Sequence, residues 1–248
     1  MSQRLGIYGG TFDPPHRAHL AVMLAAAHRF ALDRVFMVPT ARQPLKQAPP
    51  EAAYSDRLAM CALLCDEANT AQRSPRHPEA HGATPAPPAT RRDTATAKPT
   101  RSTLFQASDL EAPSPGNDAA PKYTVDLLRH LRNKEAPGTT LYVITGADAF
   151  SELRRWREPE ALLQLAEWIV VSRPGVSLES LRALQLTSVQ RTHVHLLADA
   201  LSDVSATVVR DTLHGDHDSR RLLTPPVADY IAAHHLYRSP AHVPTDQH

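Results

Sequence analysis

The sequence predicts an α/β protein in which a doubly wound parallel sheet is wrapped by helices. The prediction depends on two observations: apolar runs of four or five residues, typical of strands buried on both faces, and segments of helical period that alternate with them along the chain. The 248 residues, 42% of them hydrophobic, suffice for the core of one such domain. Strands are predicted over residues 5–8, 35–38, 141–145, 168–172 and 194–197.

Helices are predicted where apolar residues recur every three or four positions. These segments are 17–31, 55–68, 124–134, 148–156 and 177–184, with two more near the C-terminus. The second contains both cysteines, Cys61 and Cys65, one helical turn apart. A zinc site needs further ligands, so we expect the two thiols to pack as small apolar groups rather than to bind metal or form a disulfide.

One segment interrupts this alternation and predicts an insertion within a single domain. Residues 72–101 include six prolines and lack Val, Ile, Leu, Met, Phe, Trp and Tyr, so they bury too little apolar surface to offset chain entropy. We predict one domain over residues 1–248, with a disordered insertion at 72–101 and a flexible tail at 239–248. The insertion has a charge of +4, from six basic and two acidic residues, so a basic tether for an acidic partner is the alternative.

Charge and hydropathy exclude several classes of partner. The formal net charge of +1 provides no field that favours nucleic acid or an anionic membrane. The chain has no run of 18 apolar residues, and its first residues lack the apolar segment and cleavage site of a signal peptide. The sequence therefore predicts a cytoplasmic protein that binds neither nucleic acid nor membrane.

The stretch GGTFDPPHRAH, residues 9–19, predicts a phosphate site at the end of the first strand. Gly9 and Gly10 let the backbone approach a ligand closely, although neither the dinucleotide fingerprint nor a P-loop is present. His16 and His19 are three residues apart, on one face of the next helix at its N-terminus, where free N–H groups attract anions. A capping or core role for either histidine alone is the alternative.

A second phosphate-binding segment is predicted near the other end of the chain. In SDVSATVVRDTL, Ser205 is a plausible N-cap, and Arg210 follows about one turn later. Taken alone, Ser205 is only a cap and Arg210 a solvated charge. Together with residues 9–19, this segment predicts a clamp in which the two stretches hold one nucleoside triphosphate between them.

The two motifs, G-G-T-F-D-P-x-H-x-x-H and S-x-T-x-x-R, resemble those of the nucleotidyltransferase superfamily that has an H-x-G-H signature. More closely, the chain resembles the bacterial nicotinate-nucleotide adenylyltransferases. The matching blocks follow in the family's order and extend over most of the chain outside the insertion, at residues 120–128, 143–156, 168–175, 204–213 and 222–238. The resemblance implies a Rossmann-like fold.

The resemblance also implies a reaction: transfer of AMP from ATP to nicotinate mononucleotide, which gives nicotinate adenine dinucleotide and pyrophosphate in NAD biosynthesis. Mg²⁺ is expected to enter with ATP, so no protein metal site is implied. Because the acceptor's phosphate is largely dianionic at neutral pH, it attacks the α-phosphorus without a general base. The partners implied are therefore ATP and nicotinate mononucleotide.

The resemblance assigns site residues by role. The catalytic group is His16, His19 and Arg210. The ATP-binding group is Gly9, Gly10, Thr11, Phe12, Lys46, Asp148, Ser205 and Thr207. The group that binds the nicotinate nucleotide is Tyr123 and Thr124, through their backbone amides, and Trp156, by stacking on the pyridinium ring. The residues themselves leave simpler roles open: solvated surface for Lys46, a helix N-cap for Asp148 and core packing for Trp156.

Two positions depart from the family pattern, and two other functions remain possible. Ala18 stands where the family has glycine between the histidines, and Lys122 replaces the serine before Tyr123-Thr124. One alternative is an adenylyltransferase for another phosphorylated acceptor, such as nicotinamide mononucleotide or phosphopantetheine. The other is a regulatory module that binds nucleotide without turnover, with Ala18 as the inactivating change.

Overall fold

A six-stranded parallel sheet forms the centre of the molecule, in the order β3-β2-β1-β4-β5-β6. The structure is a computed structural model that describes residues 2–41, 48–73, 103–113, 122–172, 184–198, 204–215 and 217–238. The strands are β1 (Arg4–Gly10), β2 (Arg34–Pro39), β3 (Leu104–Ala107), β4 (Thr140–Gly146), β5 (Glu167–Val171) and β6 (Val194–Leu197).

The strand order confirms the doubly wound α/β fold. The chain builds outward from β1 to β3 and then returns to β4 on the other side of β1, so the strand order reverses between β1 and β4. In sheets of this type ligands bind beyond the carboxyl ends of the strands at that reversal. Two separate clusters of buried apolar side chains cover the two faces of the sheet.

All five predicted strands are present, and the sixth, β3, was missed. Strands β1, β2 and β4 extend the predicted ones by one or two residues at each end, and Val194–Leu197 matches fully. Strand β5 begins one residue before its predicted start and ends one residue before its predicted end. Strand β3 has four residues and lies at the edge of the sheet, with Leu104 49% exposed. Its own sequence is too short to give a periodic signal; pairing with β2 and contacts with the second helix hold it in place.

The described helices fill the connections between strands. They are α1 (Arg17–Arg29), α2 (Tyr54–Arg73), α3 (Thr124–Lys134), α4 (Ala147–Ser151), α5 (Pro159–Leu165), α6 (Ser188–Thr192), α7 (Ala206–His214) and α8 (Pro225–Ala233). Helix α3 matches its prediction, and α2 continues five residues beyond its predicted end. The helix predicted over 177–184 lies outside the described residues apart from its last position. No described helix is long and apolar enough to span a bilayer.

The single helix predicted over 148–156 was wrong. The segment divides into α4 and a 3-10 turn, Leu153–Arg155, after which Trp156 is extended. Glu158 then adopts a left-handed conformation with φ of 53°, and Pro159 begins α5, which was missed. Proline is well suited to the first helical turn, so it starts a new helix instead of continuing the old one.

The cysteine prediction is confirmed for α2. Cys61 and Cys65 are free thiols, at most 2% exposed, within the apolar cluster between α2 and the sheet. Burial raises the pKa of Cys65 to about 12 and that of Cys61 well above its usual value. Both side chains therefore stay protonated and act as small apolar groups.

The described residues on either side of 74–102 meet at the base of β3. Residues 72 and 73 belong to α2, and the Gln72 side chain pairs with Thr103: its amide donates to the Thr103 carbonyl, and its oxygen accepts from the Thr103 N–H, both at 3.0 Å. The remainder of the predicted insertion, and the 239–248 tail, lie outside the described residues. The single-domain division stays a prediction.

Deletion of residues 74–100 is expected to leave the melting temperature within about 3 °C of the full-length value. Gln72 and Thr103 already bring the two ends together, and shortening a loop lowers the entropy cost of closing it. Differential scanning calorimetry measures the change. Gln72→Ala is the contrasting variant, which should cost about 1 kcal/mol because two hydrogen bonds are lost. A large drop in the melting temperature after the deletion would mean that residues 74–100 pack against the domain.

Candidate active site

The turn after β1 forms the first wall of the site. Gly10 ends β1, and Phe12 follows with φ of 49°. A Cβ on Gly10 would lie 2.9 Å from the Phe12 ring, so only glycine allows the buried ring to fold back against the strand. At Gly9 a Cβ would meet nothing within 4 Å, which leaves the backbone there open to a ligand. Both glycines line the cavity described below.

His16 and His19 form a stacked pair at the start of α1. Their ring centroids are 3.7 Å apart, with 30° between the ring planes. His16 is the N-cap of α1, and its backbone N–H donates to Nδ1 of His19 at 3.1 Å. Because Nδ1 of neutral His19 accepts, its proton is on Nε2, which is thereby an N–H donor. The two rings therefore lie on a shared face at the start of α1, as their spacing predicted.

Burial keeps both imidazoles uncharged. His16 is 4% exposed, and burial lowers its pKa to about 4. Burial lowers the pKa of His19 well below its usual value, and the neighbouring His16 ring adds to the effect. Within the described part of the chain, Nδ1 of His16 is buried without a hydrogen-bond partner. The pair therefore offers ring nitrogens to a ligand and carries no permanent charge that would attract one at a distance.

The buried histidine pair predicts a loss of stability in acid. Folding holds His16 neutral, whereas the unfolded chain protonates it below pH 6.5, so stability falls between pH 6.5 and about 4 by up to about 3 kcal/mol. His16→Asn keeps an N-cap and removes the titration, so its stability should fall less steeply. Urea unfolding at several pH values measures both, with exposed His28→Asn as control. Equal slopes in wild type and His16→Asn would contradict the assignment.

The second wall comes from α7, close to the first as predicted. Ser205 is the N-cap of α7, where its side chain accepts from the Val208 N–H at 3.3 Å. Nη1 of Arg210 donates to the Asp13 carbonyl at 2.6 Å, across 197 positions of sequence. The Arg17 N–H donates to the Leu222 carbonyl at 3.0 Å and joins the same two parts of the chain. Arg210 is therefore an anchored side chain of the site.

Asp13 joins four segments of the chain and was missed as a functional residue. Its buried carboxylate accepts from the backbone N–H groups of Glu51 and Ala52 at 2.7 and 3.0 Å, and from the Tyr237 hydroxyl at 2.7 Å. Arg210 lies 3.9 Å from the same carboxylate. An acid between Phe12 and two prolines, in a motif otherwise without charge before the histidines, was the signal available in the sequence.

Arg57 supports the same turn from α2 and was also missed. The side chain is 1% exposed, and its guanidinium donates to the carbonyls of Thr11 at 2.7 Å, Thr40 at 2.8 Å and Ala52 at 3.2 Å. It therefore fixes the ends of β1 and β2 relative to each other. An arginine on an otherwise apolar helix face was its only sequence signal.

A cavity of about 150 Å³, here called the switch-point cavity, opens at the reversal between β1 and β4. Tyr123 is the N-cap of α3 and Thr124 its first residue, and both line the cavity, so this helix end with its free N–H groups is part of the cavity wall. Trp156 also lines the cavity and packs edge-on against Trp168, with ring centroids 5.8 Å apart. Three basic side chains and one acid are among its other lining residues: Lys122, Arg155, Arg157 and Glu111.

The remaining predicted residues divide by position. Thr11 lies in the turn that Arg57 holds, and exposed Thr207 is in the first turn of α7. Asp148 is exposed in the first turn of α4, whose N-cap is Gly146, so the capping alternative for Asp148 was wrong. Lys46 lies outside the described residues. In the described ranges no three His, Cys, Asp or Glu side chains cluster as a metal site.

Comparison with known proteins gives the family. A model of the cytidylyltransferase-like family matches residues 7–212. A protein of Solibacter usitatus named probable nicotinate-nucleotide adenylyltransferase is 32% identical to this chain, over 94% of this chain and 99% of the relative. A protein of the same name from Stenotrophomonas maltophilia is 34% identical, over 97% of this chain and 99% of the relative.

Among solved structures, Plasmodium falciparum nicotinic acid mononucleotide adenylyltransferase complexed with NaAD shares the fold. The TM-score is 0.66 at 20% identity, over 95% of this chain and 98% of that chain. The sequence matches extend over nearly the whole chain and agree with the family model. The chain therefore belongs to the cytidylyltransferase-like family and, within it, to the nicotinate-nucleotide adenylyltransferases.

Proposed function

We propose that this chain transfers the adenylyl group of ATP to nicotinate mononucleotide and releases pyrophosphate, as a step of NAD biosynthesis. The observation that carries the proposal is that one turn of the chain, after β1, joins two groups of predicted site residues. Gly9 and Gly10 line the switch-point cavity, and the turn that follows them leads to the histidine pair and Arg210. A dinucleotide product needs such a site, with one end for each nucleotide.

The acceptor end suits an anionic aromatic ring. The N-terminus of α3 presents N–H groups at Tyr123 and Thr124, and a helix N-terminus favours a carboxylate. Three basic side chains line the same cavity, and the Arg157 guanidinium lies 4.8 Å from the Tyr123 ring centroid. Trp156 supplies an aromatic face for a pyridinium ring, where cation–π attraction contributes about 0.5–2 kcal/mol.

The phosphate end works by positioning and hydrogen bonding. Nε2–H of His19 and the guanidinium of Arg210 are the donors that would stabilise charge as it builds on the α-phosphate and the leaving pyrophosphate. Ser205 and Thr207, at the start of α7, would bind the outer phosphates. The phosphate monoester of the acceptor is itself the nucleophile, with its second pKa near 6, so no side chain is needed as a base.

Magnesium belongs to this proposal as an ion bound to the ATP phosphates. When bound, Mg²⁺ neutralises part of the phosphate charge. The residues at the histidine pair are neutral donors rather than carboxylates, which fits an ion held by the nucleotide. Lys46 and Asp148 are proposed, from the family resemblance, to contact the triphosphate and the ribose.

Pyrophosphate release from ATP and Mg²⁺ with three acceptors tests the proposal at pH 7. Nicotinate mononucleotide should be used at least about tenfold better, in kcat/KM, than nicotinamide mononucleotide, because only the former has a carboxylate for the α3 terminus. Phosphopantetheine should not be used, since it lacks the charged ring. Equal use of the two pyridine nucleotides would contradict the carboxylate assignment. Release with none of the three would favour a module that only binds nucleotide.

A further inference from the structure

Glu111 is a buried acid in the wall of the switch-point cavity that the proposed reaction does not use. It is 6% exposed and lines the cavity together with Lys122, Tyr123 and Thr124. A carboxyl group in a cavity wall can exchange a hydrogen bond with a ligand bound there.

The groups around Glu111 come from three parts of the fold. Lys122, just before α3, is the charged group that favours its ionised form. On α2, the Tyr54 hydroxyl interacts electrostatically with both Asp109 and Glu111. The Arg57 guanidinium lies over the Tyr54 ring. Arg155 and Arg157, after α4, line the same cavity. Glu111 therefore shares the cavity wall with Lys122, which directly precedes the α3 N-terminus proposed to bind the acceptor's carboxylate.

The charge of Glu111 changes in the neutral range. Burial raises its pKa to about 7, against the opposing attraction of Lys122. An anion bound nearby would raise that pKa further, because two carboxylates in one site repel each other. Near pH 6 the group is a hydrogen-bond donor and near pH 8.5 it is an acceptor only.

We propose that Glu111 is a specificity-determining residue for the acceptor. As an uncharged acid it donates a hydrogen bond to the carboxylate of nicotinate mononucleotide. As a carboxylate it repels that group and accepts from the amide N–H of nicotinamide mononucleotide instead. Nicotinate binding above neutral pH is therefore accompanied by uptake of one proton at Glu111. This inference rests on the proposed function and adds to it the residue that discriminates between the two rings.

The ratio of kcat/KM for the two acceptors, measured from pH 6 to 9, tests the role of Glu111. Both acceptors carry the same phosphate monoester, so its titration cancels in the ratio. In the wild type the ratio of nicotinate to nicotinamide use should fall at least about fivefold from pH 6 to 8.5. Glu111→Gln keeps a donor without titrating, so its ratio should stay constant. Lys122→Ser should move the midpoint to higher pH.

Exposed Glu160→Gln, a loss of charge in α5 outside the cavity, is the matched control and should keep the wild-type profile. A wild-type ratio that does not change with pH, while nicotinate mononucleotide is still used, would overturn the role of Glu111 alone. Absence of pyrophosphate release with every acceptor would instead overturn the proposed function.

Calorimetry decides the question without turnover or a variant. Titrations of the wild-type chain with each acceptor at pH 8, in buffers of different ionisation enthalpy, give the number of protons taken up on binding. Nicotinate mononucleotide should take up more protons than nicotinamide mononucleotide, by up to one. Equal uptake would overturn the proposal even if Glu111→Gln fails to fold.

Discussion

His19→Ala is expected to lower kcat about 100- to 1,000-fold while the KM for ATP rises less than about tenfold. The His16 N–H fixes the proton of His19 on Nε2, so this ring is a donor already oriented before ATP binds. Its hydrogen bond to phosphate oxygen should strengthen as charge builds in the transition state, and loss of one such donor costs about two to three orders of magnitude in rate. Steady-state kinetics of pyrophosphate release separate the two constants.

Two further variants make this prediction specific. His28→Ala changes an exposed histidine in the last turn of the same helix and should leave both constants unchanged. His19→Asn retains an N–H donor of different reach and should recover part of the lost rate. If His19→Ala raised KM alone, the residue would bind ATP equally in the ground and transition states, and its catalytic assignment would be wrong.

Asp13→Asn is expected to lower the free energy of unfolding by about 2–4 kcal/mol. The carboxylate accepts from two backbone N–H groups and from the Tyr237 hydroxyl, all of them donors. An amide would replace one acceptor oxygen with a donor and would remove the charge that strengthens the remaining bonds. Urea unfolding measures the change. The KM for ATP should also rise, because Arg210 rests on the carbonyl of the same residue.

Tyr237→Phe is the matched control, since it removes one of the three donors and leaves the carboxylate in place. We expect this variant to lower the free energy of unfolding by about 1 kcal/mol. The Asp13 oxygen that loses the Tyr237 hydroxyl still accepts from the Ala52 N–H, so it is not left without a partner. A stability loss for Asp13→Asn no larger than that for Tyr237→Phe would mean that the two backbone contacts contribute little.

The sequence predicted those elements whose stability depends on their own residues. Strands β1, β2, β4 and β5 are apolar on both faces, and α3 has a strongly one-sided apolar pattern, so each was found within about two residues. Strand β3 is held by its neighbours rather than by its composition. Helix α5 was missed because a left-handed residue, Glu158, breaks an apparently continuous helix, and no residue pattern announces that conformation.

The site divides in the same way. Gly10, His16 and His19 act within one short motif, so their spacing alone indicated their arrangement. Asp13 binds Glu51, 38 residues away, and Arg57 binds Thr11, 46 residues away. Sequence spacing cannot predict contacts between residues so far apart. The role proposed for Glu111 depends on folding, which places it in the wall of the same cavity as Lys122. Predictions for Lys46 and Asp148 still depend on the family resemblance.

The hydrogen bond between Tyr237 and Asp13 has a consequence for synthesis of the protein. The ribosome adds Tyr237 224 positions after Asp13. The Arg210 contact can form only after α7 has emerged from the exit tunnel, and the Tyr237 contact only after the segment that follows α8 has emerged. A nascent chain that stops short of Arg210 and Tyr237 therefore lacks two contacts to Asp13, so the two walls proposed to bind ATP come together late in synthesis.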